Sequence, residues 1–261
     1  MPKEHAPITE QDGILTVTFT REDKLNAISS DMTDQLWEAV RMLSDREDLR
    51  CLVITGTGKY FTAGIDLGDK KGMLPPEKLA ASQHPGWVFR QHYRRHHLLY
   101  DEMEALEKPI IIAAQGISLG AGVEMSASCD FRFCTPQAQF GLPEVNIGVM
   151  AGSGGTSRLT RIVGPAWAKY LAMAGMRVNA ERALSIGLVH DIFPAETFLD
   201  DVYEFCRTLI KISPDVLGVT KLAIDMYADM DRTAQRHVDR IIVAGQWSSE
   251  EIHSNRERFK K

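Results

Sequence analysis

Two glutamates, Glu124 and Glu144, each lie in an apolar segment beside glycine-rich backbone. Burial among apolar groups raises the pKa of a carboxyl group, and two carboxyl groups near one pocket can divide the work of a general acid and a general base. The pair therefore indicates an enzyme. The alternatives are an exposed helix position for Glu124, although its neighbours are mostly apolar, and a simple turn carboxylate after Pro143 for Glu144.

Three glycine-bearing turns adjoin apolar segments, at residues 61–66, 116–122 and 152–156. Small residues let a ligand approach backbone N–H groups, and a helix that begins near Ala121 would direct its unpaired donors and positive dipole end toward an anion. Two such donors on one carbonyl oxygen form an oxyanion hole, and each contributes roughly 3 to 4 kcal/mol. The alternative is that these glycines only permit tight turns between strands and helices.

The elements that would position these residues alternate between strand and helix. Apolar, β-branched runs predict strands at residues 13–20, 51–55, 109–115 and 130–134. Helices are predicted at residues 31–43, where Ser29 or Ser30 would be the cap, and at 120–129. Short strand, helix and strand units favour an α/β architecture with parallel strand pairing.

Two further segments have a different character. Periodicity weakens over residues 67–103, where prolines interrupt an aromatic-rich stretch, and this segment is interpreted either as a lid over a pocket or as a surface excursion. Helical patterns alone occupy residues 198–212, 215–227 and 232–247. We therefore predict a catalytic core at residues 1–195 and a C-terminal helical region at residues 196–261.

The composition is that of an ordinary globular protein. The 261 residues carry a net charge of −5, which gives no support to nucleic-acid binding. The chain opens on a polar segment and has no apolar run near ~18 residues, so we expect a cytoplasmic protein that does not enter a membrane. The four cysteines lack the paired spacing of metal ligands and are expected to be reduced. No metal site and no nucleotide or flavin motif is predicted.

Taken together, these segments resemble the crotonase family, the enoyl-CoA hydratase/isomerase superfamily. The matching segments occur in family order from about Leu15 to about Asp191, and they are residues 24–27, 61–66, 116–124, 129–130, 140–144 and 152–161. The resemblance implies an α/β fold with a crotonase-like ββα spiral core. It also implies an acyl-CoA thioester as substrate, with coenzyme A part of the substrate rather than a cofactor.

The resemblance also implies roles for individual residues. The backbone N–H groups of Ile65 and Ala121 match the family's oxyanion hole, and Glu124 and Glu144 match the two hydratase glutamates. Glu124 would activate a water for attack at C3, and Glu144 would deliver a proton to C2. The N–H of Gly152 would lie near that water. The expected contacts to coenzyme A or the acyl group are Leu25, Ala63, Gly64, Ile65, Asp66, Leu67 and Ala121.

In the family the C-terminal helices pack around neighbouring subunits, so a homotrimer or a dimer of trimers is expected. Residues 248–261 depart from the usual family ending, which leaves a coenzyme A contact from Phe259 or Lys260 without support.

Three alternatives remain. Residues 116–120 also satisfy the G-x-S-x-G motif of serine esterases, with Ser118 as nucleophile, Asp130 or Asp191 as acid and His190 or His237 as base. A second alternative keeps the fold and changes the reaction to that of an isomerase, a thioester hydrolase or a hydratase-lyase acting on aromatic or steroid side chains. A third is a catalytically silent family member.

Overall fold

The computed structural model describes residues 5–247 and residue 252, which form two compact units divided between Ile212 and Ser213. The boundary predicted after residue 195 is therefore too early. Helix α7 (Phe198–Ile210) belongs to the first unit because Val202 and Cys206 are buried there. In addition, the ring of Phe205 lies edge-on to those of Phe131 and Phe133, with 4.8 Å between centroids in each case.

The first unit contains two sheets. The six-stranded sheet has the order β1-β2-β3-β5-β7-β10 and the four-stranded sheet has the order β4-β6-β8-β9. The strands are β1 (Ile8–Gln11), β2 (Ile14–Phe19), β3 (Cys51–Gly56), β4 (Tyr60–Thr62), β5 (Ile110–Ala114), β6 (Ile117–Leu119), β7 (Phe131–Cys134), β8 (Gln139–Gly141), β9 (Arg177–Asn179) and β10 (Asp191–Ile192). Pairing is parallel except for β1 with β2 and β8 with β9.

The two sheets are linked by a repeated step along the chain. β3 and β4, β5 and β6, and β7 and β8 each contribute one strand to the large sheet and the next strand to the small one. A helix or helical turn follows each pair before the chain returns to the large sheet. This spiral of two strands and a helix is the predicted architecture. β3 and β5 are almost wholly buried, as expected for parallel strands rich in isoleucine, leucine and valine.

Helices cover the sheets of the first unit. They are α1 (Ser30–Asp45), α2 (Pro76–Ala80), α3 (Pro85–Ala105), α4 (Ala121–Ala127), α5 (Ser157–Ala168) and α6 (Ala180–Ser185), in addition to α7. Ser29 caps α1, since its hydroxyl accepts a hydrogen bond from the N–H of Met32 at 3.3 Å. The four cysteines are buried and form no disulfide with one another. The long helix α3 lies in the segment whose periodicity gave no helix prediction.

The second unit is helical. The structure describes α8 (Pro214–Tyr227) and α9 (Arg232–Trp247), which confirms the two predicted helices. They are joined by a hydrogen bond from the Tyr227 hydroxyl to the Asp239 carboxylate at 2.6 Å. Val216, Leu222 and Met226 of α8 are exposed apolar side chains. The predicted departure from the family ending, including Phe259 and Lys260, lies outside the described residues.

Within the described part of the chain, no helix has the length and apolar character needed to span a membrane.

Candidate active site

The carboxyl ends of three parallel strands bring the predicted site residues to one edge of the small sheet. β4, β6 and β8 are neighbours, and the register aligns Thr62 with Ser118 and Ser118 with Phe140. The chain leaves β4 toward Ile65, leaves β6 into α4 and leaves β8 toward Glu144. Adjacent carboxyl ends of parallel strands form a crevice where ligands commonly bind in α/β proteins.

Glu124 lies on the first turn of α4 and is only 4% exposed. Its Oε1 accepts a hydrogen bond from the backbone N–H of Ser153 at 2.8 Å, and the N–H of Gly155 also donates to the carboxylate. Burial, and next the negative charge of Glu144, raise the pKa of Glu124 to about 7, while the two N–H donors act in the opposite direction. This carboxyl group can therefore exchange a proton near neutral pH.

Glu144 lies in the 3-10 turn Pro143–Ile147 that follows β8. Burial raises the pKa of this carboxyl group, and its Oε2 is buried without a hydrogen-bond partner among the described residues. Its Oε1 lies so close to Gly120 that a Cβ on that glycine would be 2.8 Å away. The turn thus holds the second carboxylate against the start of α4, within electrostatic reach of Glu124.

The two predicted backbone donors lie on adjacent segments. A Cβ placed on Gly64 would lie 3.4 Å from the backbone nitrogen of Ala121. The N–H of Ala121 is the first of α4, so it has no acceptor within the helix. Ile28 and Ile65 form a parallel β-bridge. In it the N–H of Ile28 donates to the carbonyl of Gly64, and the N–H of Asp66 donates to the carbonyl of Ile28. The N–H of Ile65 therefore points away from Ile28. The segments carrying both donors therefore meet beside Gly64, which has φ +95°.

The residues expected to contact coenzyme A lie around the same strand end. The N–H of Ala63 donates to the carbonyl of Leu25 at 2.9 Å, and the side chains of Leu25 and Leu67 are exposed. Asp66 forms an ion pair with Arg21 at 2.9 Å. The sequence does not indicate that Arg21 lies beside Asp66, because the two residues are 45 positions apart along the chain.

Gly152 lies beside Tyr93, which residue type and spacing alone do not mark as a site residue. A Cβ on Gly152 would be 3.0 Å from the hydroxyl of Tyr93, which reaches this point from α3. Ser153 Oγ donates a hydrogen bond to the same hydroxyl at 2.7 Å. The only signal for Tyr93 was its place in the aromatic stretch interpreted as a possible lid, and Ser153 was noted only as part of a glycine-rich turn.

The geometry gives no support to the serine esterase alternative. Ser118 lies within β6 and is fully buried, and its hydroxyl has no hydrogen-bond partner among the described residues. His190 Nδ1 accepts a hydrogen bond from the backbone N–H of Arg132, and Asp130 accepts one from that of Ile110. A nucleophile on a strand-to-helix turn would instead be exposed and paired with a base.

The arrangement can therefore polarise a carbonyl and move a proton nearby. Two backbone donors on adjacent segments can stabilise negative charge on an oxygen, and Glu124, which lies near the second carboxyl group, can hold or release a proton close to neutral pH.

Comparisons with known proteins agree with this geometry. The family model described as enoyl-CoA hydratase/isomerase matches residues 9–261. The short-chain-enoyl-CoA hydratase of Clostridium acetobutylicum is 33% identical over 228 residues, which cover 86% of this chain and 83% of that protein. The crotonyl-CoA hydratase of Syntrophomonas wolfei is 31% identical over 242 residues, covering 92% and 89%.

A solved structure of an enoyl-CoA hydratase from Bacillus anthracis has the same fold, with a TM-score of 0.87 and 26% identity. The similarity covers 98% of this chain and 96% of that chain, which confirms the predicted crotonase-like fold. The chain therefore belongs to the enoyl-CoA hydratase/isomerase family.

Proposed function

We propose that this protein is an enoyl-CoA hydratase that adds water across the C2=C3 double bond of a 2-enoyl-CoA thioester. The observation that carries the proposal is the buried carboxyl group of Glu124 with the half-buried carboxyl group of Glu144 nearby, at the place where the Gly64 segment approaches the backbone nitrogen of Ala121. Hydration needs an activated water and a proton donor near C3 and C2, and it needs stabilisation of an enolate oxygen at C1.

In the proposed reaction the thioester carbonyl oxygen accepts hydrogen bonds from the N–H groups of Ile65 and Ala121. The pair of glutamates carries one proton and one negative charge, and the reactive form is the one in which Glu144 holds the proton and Glu124 is ionised. The water oxygen forms a bond to C3 and gives up a proton to Glu124, and the enolate at C1–C2 collapses as Glu144 transfers its proton to C2. The proton gained by Glu124 balances the one lost by Glu144, so the pair is ready again after one proton exchange with solvent.

We propose short 2-enoyl-CoA thioesters as the first substrates to test, because two relatives that cover most of the chain are named for short-chain-enoyl-CoA and crotonyl-CoA. Coenzyme A would lie against Leu25, Ala63 and Asp66, where exposed apolar side chain and backbone are available. A place in fatty acid β-oxidation follows from this chemistry as part of the same proposal.

We further propose a cytoplasmic homotrimer or dimer of trimers. Exposed apolar side chains on α8, among them Leu222 at 44% and Ile224 at 63%, support association, because such a face is costly to leave in water. Sedimentation equilibrium tests this proposal, and a monomer at micromolar concentration would contradict it.

The function is tested by following loss of the enone absorbance of crotonyl-CoA with the unaltered protein, Glu124→Gln and Glu144→Gln. Each substitution keeps the shape of the side chain and removes its acid–base chemistry, so each is expected to lower kcat at least about 100-fold. Glu196→Gln is the matched control, since Glu196 is exposed and remote in sequence from the site residues. Full turnover by both active-site variants would refute the assignment of roles.

A screen of enoyl-CoA thioesters separates hydration from the other family reactions. Trp87 and Phe89 of α3 are 57% and 47% exposed, so an aromatic acyl group is the specific alternative to include. Preferred turnover of an aromatic thioester with release of an aldehyde would favour a hydratase-lyase. Movement of the double bond without uptake of water would favour an isomerase.

A further inference from the structure

Tyr93 brings a hydroxyl group from α3 to the segment that holds Glu124. The hydroxyl is 2.7 Å from Ser153 Oγ, and the backbone N–H of Ser153 donates to Glu124 Oε1 at 2.8 Å. A Cβ on the neighbouring Gly152 would be 3.0 Å from the same hydroxyl. One residue, Ser153, therefore connects the phenol and the first glutamate.

The Tyr93 hydroxyl is available as a hydrogen-bond donor. Ser153 Oγ is the donor in the bond between the two hydroxyl groups, so the phenol hydrogen is not used in it. Burial raises the pKa of Tyr93, and the charges of Glu124 and Glu144 raise it further. The phenol therefore keeps its proton at neutral pH. The effect of both carboxylates on this pKa shows that their charges interact electrostatically with the Tyr93 hydroxyl.

The second glutamate has an acceptor oxygen without a partner. Glu144 Oε2 is buried and makes no hydrogen bond to any described residue. A buried polar oxygen of this kind is normally satisfied by protein or by an ordered water, and a water needs two to four polar partners. A water held between Glu124, Glu144 and the Tyr93 hydroxyl would have that number of partners.

The ring of Tyr93 is held in place from both sides. It stacks on Phe89 with 5.6 Å between ring centroids, and His97 meets it edge-on at 4.7 Å. About two turns further along α3, the Tyr100 hydroxyl donates a hydrogen bond to the carbonyl of Ala121 at 3.3 Å. The helix is thus fixed to the oxyanion segment, which positions the Tyr93 hydroxyl before any ligand binds.

We propose that Tyr93 is a further catalytic residue that donates a hydrogen bond to the oxygen that adds to C3, first while it is the water held by the glutamates and then when it is the product hydroxyl. This inference rests on the proposed hydration reaction and adds a third side chain to the water site. It also predicts that the site distinguishes thioesters by the presence of an oxygen on C3.

The test compares binding of two thioesters that are not turned over by hydration. Acetoacetyl-CoA carries an oxygen on C3, and butyryl-CoA does not. Tyr93→Phe is expected to raise the Kd of acetoacetyl-CoA about fivefold, which is the usual contribution of one hydrogen bond to binding. The Kd of butyryl-CoA is expected to stay within about twofold of its value in the unaltered protein. Tyr203→Phe is the matched control, because the Tyr203 hydroxyl makes a similar bond to Thr16 Oγ1 at 3.1 Å.

Kinetics supply the second readout. Tyr93→Phe is expected to lower kcat for crotonyl-CoA roughly 5- to 20-fold with KM nearly unchanged, since coenzyme A binds elsewhere. Ser153→Ala keeps the Tyr93 ring and removes only the hydroxyl that orients the phenol, so it is expected to change acetoacetyl-CoA binding in the same direction by about twofold.

Equal weakening of both thioesters by Tyr93→Phe would assign the residue a purely structural role and overturn the proposal. Unchanged binding of both would show that the phenol does not reach the C3 oxygen, with the same consequence. The unaltered protein could hydrate no thioester and still bind acetoacetyl-CoA more tightly than butyryl-CoA, with Tyr93→Phe removing that difference. This result would refute the proposed hydration reaction and support the hydrogen bond from Tyr93 to the C3 oxygen. If Tyr93→Phe does not fold, unchanged binding in Ser153→Ala overturns the proposal.

Discussion

Gly120 provides a direct way to displace one glutamate without altering it. This residue precedes α4 with φ +53° and ψ −123°, a conformation that glycine adopts easily and other residues rarely do. A methyl group at Gly120 would lie 2.8 Å from Glu144 Oε1. Ordinary contact begins near 3.4 Å, so the carboxylate must retreat by at least about 0.6 Å, the difference between these distances.

The expected effects of Gly120→Ala on stability and on activity differ in size. A non-glycine residue in this backbone conformation costs about 1 to 3 kcal/mol of unfolding free energy. Displacement of a catalytic group by about 1 Å can lower the rate about 100-fold, so a shift of 0.6 Å or more is expected to lower kcat by roughly 10- to 100-fold. KM for crotonyl-CoA is expected to change little, because the proposed coenzyme A contacts lie near β4.

Gly148→Ala separates backbone strain from the contact with Glu144. Gly148 ends the 3-10 turn that carries Glu144 and has φ +80°, but no atom lies within 4 Å of a Cβ placed there. Alanine at Gly148 therefore costs about 1 kcal/mol of strain without pushing the carboxylate. Thermal melts and kcat, normalised to folded protein, are measured for both variants. Wild-type kcat in folded Gly120→Ala would refute the argument that Glu144 must occupy its present position.

Two further predictions concern the ionisation of Glu124 and the role of Ser118. The folded chain holds the Glu124 proton more tightly, with a pKa of about 7 against the ordinary 4.5, so this residue lowers the free energy of unfolding as pH rises between those values. Glu124→Gln is therefore expected to be more stable than the unaltered protein above pH about 7, and this difference in stability is expected to disappear below pH about 4.5. Thermal melts across this pH range measure the difference. A difference in melting temperature that does not vary with pH would contradict the raised pKa of Glu124. Ser118→Ala is expected to retain crotonyl-CoA hydration and to change unfolding free energy by less than about 1 kcal/mol, since the buried hydroxyl makes no hydrogen bond; loss of turnover in the folded variant would return Ser118 to the list of catalytic candidates.

Local patterns predicted most of the elements that the structure contains. The strand at Ile110–Ala114 and the cap at Ser29 follow directly from apolar runs and from capping chemistry. Helix α3 was missed because its partly exposed faces are interrupted by polar residues, and only Leu99, Tyr100 and Met103 are buried. The boundary after residue 195 was misplaced because a change from strands to helices does not show which unit a helix packs against.

The candidate site was only partly accessible from sequence. Glu124, Glu144 and the glycine-rich turns carry signals of residue type and spacing. The contacts of Ser153 and Tyr93 do not, because they join segments 60 residues apart and depend on where α3 lies. The length of a loop or the presence of an aromatic residue does not encode such a distance.

The G-x-S-x-G motif has a structural explanation that also accounts for the position of the oxyanion segment. A Cβ on Gly122 would lie 2.3 Å from Thr62 Cγ2 and 2.9 Å from Ser118 Oγ, so α4 packs against β4 and β6 more closely than any larger residue would allow. Because Thr62 and Ser118 are register partners, that close approach fixes the start of α4 relative to both strand ends. It therefore determines how far the N–H of Ala121 lies from that of Ile65. Ser118 is small because a helix must pass over it, and the glycines around it set the spacing of two backbone donors rather than exposing a nucleophile.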